Sequence, residues 1–272
     1  LQQLGLESAS SLSAPGTKER DQNPGEEELQ GEEAIVYRAV ATRANFMAMD
    51  RADVKYASKK ICRRMAVPRR CDRQKVKGLA KYLAGISRMI HQCKWHEFAD
   101  RTAAIVDTDY AGCRDTRKST SGGFLMHGSH CVRSWSTTQS VIALSSGEAE
   151  LYGIVKGASA ALRFQSVAVD LGVSLGVDIF YDSAAARGMV RTTGLGKVRQ
   201  IHVQELWVQL FLREGKFALN PIIGIDNPAD ILTKYVDQSG LYKHCHTLGL
   251  EPRMGRAGVA PQLETPLSPA RP

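Results

Sequence analysis

The stretch Ala103-Ala104-Ile105-Val106-Asp107 is a short apolar run that ends in a carboxylate, and the interpretation of the chain starts from it. A run of this kind predicts a buried β-strand. A second run, residues 177–181, is apolar except for Asp178 and ends at Asp182 in the same way. Sites in open α/β sheets form beyond the carboxyl ends of the strands. We therefore expect Asp107 and Asp182 to meet at one edge if their strands are parallel neighbours.

The rest of the segment 101–236 supplies the other elements of such a sheet. Residues 123–127 and a stretch through Val132 and Trp135 predict two strands, and residues 217–223 predict a fifth. Ser145 and Asn227 have the pattern of helix N-caps, the second followed by a proline. The order is three strands, helix, strand, helix, strand, helix. It predicts an α/β fold with a mixed five-stranded sheet and flanking helices.

Two further acids fall in the first turns of the predicted helices, Glu150 after Ser145 and Asp230 after Asn227. Each acid alone is typical of a turn or of a helix N-terminus. Four carboxylates that converge repel one another unless divalent cations neutralise them, and hard oxygen ligands suit Mg²⁺ or Mn²⁺. A pair of such ions, held by Asp107, Glu150, Asp182 and Asp230, would suit displacement at phosphorus.

Two of these assignments have alternatives in the same motifs. Asp109 could replace Asp107, but Asp107 directly follows the apolar run, as a ligand at a strand end should. Glu148 could replace Glu150, but Glu148 fits a capping box in which it reaches back to the backbone N–H of Ser145. We therefore favour Asp107 and Glu150.

Charge is concentrated in residues 55–94, which carry thirteen Lys and Arg against one acid, whereas residues 1–33 have a net charge of −6. A basic segment of this kind indicates a polyanionic partner, although it is equally typical of solvated helical faces. We expect three helices here with their basic residues on the outer faces. The predicted nucleic-acid contacts come from this segment and from loops of the sheet: Arg63, Arg64, Arg69, Arg70, Arg117, Lys118 and Arg133.

The expected organisation is a disordered acidic lead-in over 1–33, a small helical segment over 34–98, an α/β domain over 101–236 and a disordered tail over 247–272. The six cysteines have no paired spacing, and no apolar run approaches the ~18 residues that span a membrane. These features predict an intracellular protein without membrane contact. The first residue is Leu, which favours a fragment or a processed product.

Several motifs together give residues 33–236 a family resemblance. They occur in the following order: residues 37–40 (Tyr-Arg-Ala-Val), 50–54 (Asp-Arg-Ala-Asp-Val), 107–112 (Asp-Thr-Asp-Tyr-Ala-Gly), 119–123 (Ser-Thr-Ser-Gly-Gly), 134–136 (Ser-Trp-Ser), 143–150 (Ala-Leu-Ser-Ser-Gly-Glu-Ala-Glu), 182–185 (Asp-Ser-Ala-Ala) and 227–234 (Asn-Pro-Ala-Asp-Ile-Leu-Thr-Lys). In these motifs the chain resembles the connection and RNase H region of the Pol polyprotein of copia-type LTR retrotransposons.

The resemblance implies a ribonuclease-H-like fold, two Mg²⁺ ions and cleavage of RNA in an RNA–DNA hybrid. The family's acid set corresponds to Asp107, Glu150, Asp182 and Asp230. No Tyr-x-Asp-Asp motif occurs, so we interpret the chain as a truncated region without the polymerase palm, which a polymerase domain in trans would have to supply. Ser183 stands where the family usually has Asn.

Four functions remain open on the sequence. The first is an RNase H-type endonuclease, and the second is a catalytically decayed remnant of the element that retains only nucleic-acid binding. A transposase or integrase ranks third, because that class orders its acids Asp, Asp, Glu. A Mg²⁺-dependent phosphatase ranks last, because the basic surface is large for a small substrate. All four acids are present, which favours retained chemistry.

Overall fold

The computed structural model describes residues 4–6, 8–16, 27–194, 203–255 and 257–259. The remaining parts of the expected lead-in and tail lie outside the described residues. The helices are α1 (Gly31–Met47), α2 (Ala52–Cys62), α3 (Arg70–Gly85), α4 (Ser146–Asp170), α5 (Ala184–Arg191), α6 (Trp207–Arg213) and α7 (Gln238–Thr247). The strands are β1 (Arg88–His91), β2 (Arg101–Asp109), β3 (Thr120–His127), β4 (His130–Thr138), β5 (Gly176–Tyr181), β6 (Ala218–Pro221) and β7 (Leu250–Arg253).

The main sheet has five strands in the order β4-β3-β2-β5-β6. Strands β2, β3 and β4 form an antiparallel meander, whereas β5 is parallel to β2 and β6 is parallel to β5. The predicted α/β class, with a mixed five-stranded sheet and flanking helices, is confirmed. This strand order is also the one that a ribonuclease-H-like fold requires.

Both faces of the sheet are covered, because successive side chains of a strand point to opposite faces. Ala104 and Val106 of β2 pack in a core under α4, whereas Ala103 and Ile105 pack against a second core on the other face. The alternation explains why the stretch 103–106 is apolar without interruption. A strand buried on both faces has no position for a solvated side chain.

Helix α4 lies very close to β2 because two glycines face the strand. A Cβ at Gly157 would stand 2.5 Å from Cγ1 of Val106, and one at Gly153 would stand 2.5 Å from Oγ1 of Thr108. Substitution at either position would force the helix away from the sheet. The glycines therefore fix the height above the sheet of the N-terminal part of α4, which carries Glu150.

The start of α4 is capped almost as the sequence predicts. The Ser145 side chain accepts a hydrogen bond from the backbone N–H of Glu148 at 3.1 Å. The carboxylate of Glu148, however, accepts from the N–H of Leu144 at 3.0 Å and not from that of Ser145. The prediction was wrong by one residue, but Glu148 still reaches back to satisfy a donor that precedes the helix.

Three helices precede the sheet, and they share a core with it. Phe124 and Met126 of β3 pack in one cluster with Tyr37 of α1, Ile61 of α2 and Tyr82 of α3. Helix α7 and the short 3₁₀ helix Pro228–Leu232 complete this cluster. The expected boundary between residues 98 and 101 therefore does not separate two independently packed units.

The expected lead-in and tail also need correction where the structure describes them. Leu4, Leu6 and Leu29 are buried in the cluster shared by the helices and the sheet. Helix α1 begins at Gly31, and β7 pairs antiparallel with β1, so the segment 34–98 is not wholly helical. Isolated leucines in a polar stretch carry no periodicity, which is why the sequence pattern concealed their burial. Among the described residues, no helix is both long and apolar enough to cross a membrane.

The expectation that the basic residues lie on outer helical faces is wrong for α2. Lys60 is buried, and the ammonium of Lys55 donates to the carbonyl of Ser134 at 3.0 Å. Lys59 donates to Oγ1 of Thr120, and the guanidinium of Arg63 donates to Sγ of Cys113. Long basic side chains can cover apolar surface with their methylene groups, so α2 packs on the sheet through residues that look exterior in sequence.

Candidate active site

Asp107 and Asp182 lie side by side because their strands are parallel neighbours. The register pairs Ile105 of β2 with Phe180 of β5, so each Asp lies two residues beyond a paired position. Strand β2 continues to Asp109 through its pairing with β3, which corrects the prediction that it ends at Asp107. The parallel arrangement on which the site depended is present.

Helix α4 brings a third carboxylate to the same point. One oxygen from each of Asp107, Glu150 and Asp182 can be chosen so that all three lie within 4.8 Å of one another. Among the His, Cys, Asp and Glu side chains of the described residues, this group is the one compact enough to hold an ion. Three of the four predicted ligands therefore converge.

Asp230, the fourth predicted ligand, lies beside this group but not within it. Asp230 belongs to a five-residue 3₁₀ helix, Pro228–Leu232, and not to the α-helix that the sequence predicts here. The Asp230 carboxylate forms an ion pair with Lys234 at 2.8 Å. It is still close enough for its charge to raise the pKa values of Asp107 and Glu150.

The three converging carboxylates are electrostatically unfavourable as anions. Burial, followed by the charges of Asp107 and Asp182, raises the pKa of Glu150 to about 9. Burial raises the pKa of Asp107 to about 6, although a hydrogen bond from Thr233 opposes the shift. Burial and the charge of Asp107 raise the pKa of Asp182. The arrangement therefore favours bound protons or bound cations.

Three polar residues that the sequence did not single out as site residues organise these acids. The Thr233 hydroxyl donates to Oδ2 of Asp107, and the Asn227 side-chain amide donates to the carbonyl of Val106 at 2.9 Å. A hydrogen bond from Asn227 also lowers the pKa of Asp182. Lys234 lies four residues after Asp230, and this spacing was the available signal for their ion pair. The contacts of Thr233 and Asn227 join residues far apart in the chain, and no local sequence pattern predicts them.

The two alternative acids have structural partners instead. Asp109 accepts a hydrogen bond from the backbone N–H of Thr120 at 2.6 Å and lies near the ammonium of Lys59. Glu148 accepts from Leu144 and from the Tyr152 hydroxyl at 3.4 Å. Neither acid belongs to the compact group. The geometry favours Asp107 and Glu150 as the ligands from these two motifs.

The predicted basic contacts fall in three places. Arg63 and Arg64 join α2 to the loop after β2, through Cys113 and through Asp115 at 2.5 Å. The same loop carries two more predicted contacts, Arg117 and Lys118. Arg69 and Arg70 lie at the start of α3, where Arg70 forms an exposed ion pair with Glu27 at 3.0 Å. Arg133 lies on β4, at a groove beside α4.

The donor set is suited to divalent cations. All three side chains offer hard oxygen ligands, which Mg²⁺ and Mn²⁺ prefer. Oε2 of Glu150 is buried without a hydrogen-bond partner among the described residues, as expected for an atom that awaits a ligand. Burial, and after it repulsion between the acids, raises the three pKa values, and a bound cation would offset both effects.

The solved structures similar to this chain include two ribonucleases H. LC11-RNase H1, isolated from compost by a metagenomic approach, is 13% identical, with a TM-score of 0.36 over 49% of this chain and 93% of its own. RNase H1 of Halobacterium salinarum is 19% identical, with a TM-score of 0.33 over 49% of this chain and 94% of its own. Because both TM-scores are low, the assignment of the fold rests on the strand order.

No protein-family model matches the chain. Two curated relatives are retrovirus-related Pol polyproteins. The one from transposon RE1 of Arabidopsis thaliana is 25% identical over 79% of this chain, and the one from transposon TNT 1-94 of Nicotiana tabacum is 27% identical over 74%. The chain spans about 15% of the length of each. These relatives confirm that the chain resembles the Pol polyproteins of copia-type retrotransposons, as its motifs indicated.

Proposed function

We propose that the chain is an RNase H-type endonuclease that cleaves RNA in RNA–DNA hybrids by two-metal hydrolysis. The observation that carries this proposal is the convergence of Asp107, Glu150 and Asp182 at the carboxyl edge of two parallel strands. The Pol polyprotein relatives support it over the phosphatase alternative. The order of the acids along the chain, with Glu150 before Asp182, argues against a transposase. A polymerase domain supplied in trans is the proposed partner.

In this proposal each residue has a defined task. Asp107, Glu150, Asp182 and Asp230 would hold Mg²⁺ or Mn²⁺, which supplies an acidified water and neutralises charge at the scissile phosphate. Asp230 joins the set only if its ion pair with Lys234 opens. Thr233 and Asn227 hold the carboxyl end of β2 against the 3₁₀ helix, and thereby keep Asp107 at a fixed position beside Asp182.

The proposed hybrid contacts are basic side chains at the end of α2, at the start of α3, in the loop after β2 and on β4. Arg117 and Lys118 lie on the loop that leads from Asp109 to β3, and Arg63 and Arg64 brace that loop from α2. Arg69, Arg70 and Arg133 would extend the basic surface. Phosphate contacts of this kind bind all sequences alike and weaken as salt rises.

A cleavage assay with end-labelled RNA tests the proposal. The full chain is incubated with an RNA–DNA hybrid, with the single-stranded RNA and with duplex DNA, in the presence of Mg²⁺ or of EDTA. We expect cleavage of the hybrid only, and only with Mg²⁺. A chain that binds the hybrid but leaves it intact at every Mg²⁺ concentration would be the decayed, binding-only remnant.

A further inference from the structure

A groove whose lining does not include the carboxylates of the site lies between β4, α4 and the start of α6. Its volume is about 590 Å³, which is within the range of about 300–1,000 Å³ of small-molecule sites. It opens to solvent, and its walls combine basic, aromatic and amide side chains. Apart from Arg133, no residue that lines the groove belongs to the site described above.

Three cations line this groove: Arg133 of β4, and Lys156 and Arg163 of α4. Burial lowers the pKa of Lys156, and the charge of Arg133 lowers it further, so these two like charges repel one another. Glu205 is the one acid among the described lining residues. An anion with several oxygens would relieve the repulsion and would bind the cations together.

Two tryptophans supply the apolar walls. Trp135 is only 6% exposed, and its ring lies against Gly123 of β3, where a Cβ would stand 2.3 Å from Cζ2. Trp207, at the start of α6, is half-buried and contacts Phe211 edge-on, with ring centroids 5.1 Å apart. Aromatic walls beside cations suit a ligand that carries both a flat ring and an anion.

The groove also contains one unpaired donor and one unpaired acceptor among the described residues. They are Nε1 of Trp135 and Oε1 of Gln139. Gln139 is 8% exposed, and its amide nitrogen donates to Ser121 at 2.9 Å and to the carbonyl of Ala149 at 2.8 Å. These bonds fix the orientation of the amide. Buried polar atoms without partners are uncommon in native folds.

We propose that this groove binds a nucleotide unit of a nucleic-acid strand, with the phosphate at Arg133, Lys156 and Arg163 and the base against Trp207. The choice of a nucleic-acid strand as the source of the nucleotide rests on the proposed function. The groove adjoins the carboxylates, because Gln139 donates to the carbonyl of Ala149, the residue before Glu150. A free nucleotide has the same chemistry and is the competing source.

Tryptophan fluorescence of the full chain in EDTA tests the inference. Trp95 is 95% exposed and is the third tryptophan of the chain, so Trp95→Phe leaves only the two groove tryptophans as reporters. The probes are AMP and a single-stranded DNA dodecamer. We expect the dodecamer to quench the emission in a saturable way, and more tightly than AMP.

The groove variant is Lys156→Gln with Arg163→Gln, and its matched control is Arg213→Gln with Lys216→Gln, an exposed pair outside the groove. The groove variant should bind the dodecamer about tenfold more weakly. It should also lower the salt slope by about one for each phosphate that the two native side chains neutralise. The control should bind like the parent.

Each result decides the inference. No quenching in the parent, or equal affinity of the groove variant and the parent, would overturn it. Quenching by AMP but not by the dodecamer would assign the groove to a free nucleotide and contradict the proposal that it binds a nucleic-acid strand. The same titration of Asp182→Asn should match the parent. Failure of hybrid cleavage would therefore leave the result for the groove intact.

Discussion

At the scale of single residues, the site is defined by carboxylates that are held together at a cost. Glu150 stands just after the first turn of α4, near the N-terminus of the helix. Burial and the charges of the neighbouring Asp107 and Asp182 raise the pKa of Glu150 to about 9. Such perturbed carboxyl groups are typical of sites that bind cations or transfer protons.

The first prediction concerns the pH dependence of stability without metal. The unfolded chain loses the Glu150 proton near the ordinary value of 4.5, whereas the folded chain keeps it until about pH 9. The free energy of unfolding should therefore fall as pH rises through this window. Glu150→Gln removes this loss. The stability difference between variant and parent should grow by up to about 1.4 kcal/mol per pH unit. Urea denaturation at several pH values measures both free energies of unfolding. If the variant and the parent lose stability equally as pH rises, the burial of this carboxyl group is contradicted.

The second prediction concerns Lys234, whose ammonium bonds Asp230 at 2.8 Å and partly neutralises the acids. Its charge lowers the pKa values of Asp107, Glu150 and Asp182. Lys234→Met should lower the melting temperature without Mg²⁺.

The same variant should tighten Mg²⁺ binding several-fold, because a competing cation is gone and its repulsion with it. Isothermal titration calorimetry measures the affinity. The matched control is Lys243→Met, whose lysine pairs with Asp226 at 2.6 Å. Equal Mg²⁺ affinity of the Lys234 variant and the control would show that this lysine does not influence the site.

At the scale of elements, the start of α2 shows how a buried ion pair fixes a helix. The Arg51 guanidinium donates to both oxygens of Asp53, at 2.8 and 2.7 Å, and the Tyr82 hydroxyl donates to Oδ2 of Asp53 at 2.8 Å. Arg51 also donates to the carbonyl of Ile86 at 3.2 Å, so the pair joins α2 to the end of α3. The Asp-Arg-Ala-Asp-Val motif therefore has a structural role.

The third prediction compares two substitutions in this network. Asp53→Ala leaves the Arg51 charge buried without its partner, which should lower the free energy of unfolding by about 3–5 kcal/mol. Tyr82→Phe removes one hydrogen bond and should cost about 1 kcal/mol. Urea denaturation of both variants measures the difference. Equal costs would mean that the ion pair contributes no more than the hydroxyl does.

The elements also show what local sequence can predict. Strands β2 and β5 were predicted from apolar runs that end in acids, and parallel pairing was enough to bring Asp107 and Asp182 together. The α4 cap was a local pattern and was found to within one residue. Thr233 is 126 residues away from Asp107, and no local pattern records such a contact. The lysines of α2 that face the sheet were not predicted, because the charge of a long side chain does not show which way the side chain points.

At the scale of the whole molecule, the sheet separates two cores that are both needed. One lies under α4 on one face, and the other joins α1, α2 and α3 to Phe124 and Met126 on the opposite face. The catalytic proposal depends on both, because α4 supplies Glu150 from the first face. Thr233 and Lys234 follow the 3₁₀ helix that packs on the second.

The fourth prediction follows from this shared sheet. A fragment of residues 100–255 would expose Phe124 and Met126, which are 0% and 8% exposed in the full chain. It should melt without cooperativity and bind a hydrophobic dye, because the part of the sheet that α1, α2 and α3 cover is exposed. Circular dichroism melts of the fragment and the full chain make the comparison. A cooperative melt near that of the full chain would show that the α/β segment folds alone.

The most direct test of the central claim is the rate of hybrid cleavage by Asp182→Asn and by the parent chain, measured side by side in Mg²⁺. The substitution keeps the size of the side chain and one acceptor oxygen but removes a charge that the cations need. We expect the parent to cut the RNA strand and the variant to lose cleavage while it binds the hybrid at least as tightly. Cleavage by Asp182→Asn at the parent's rate would contradict the assignment of this carboxylate to the active site.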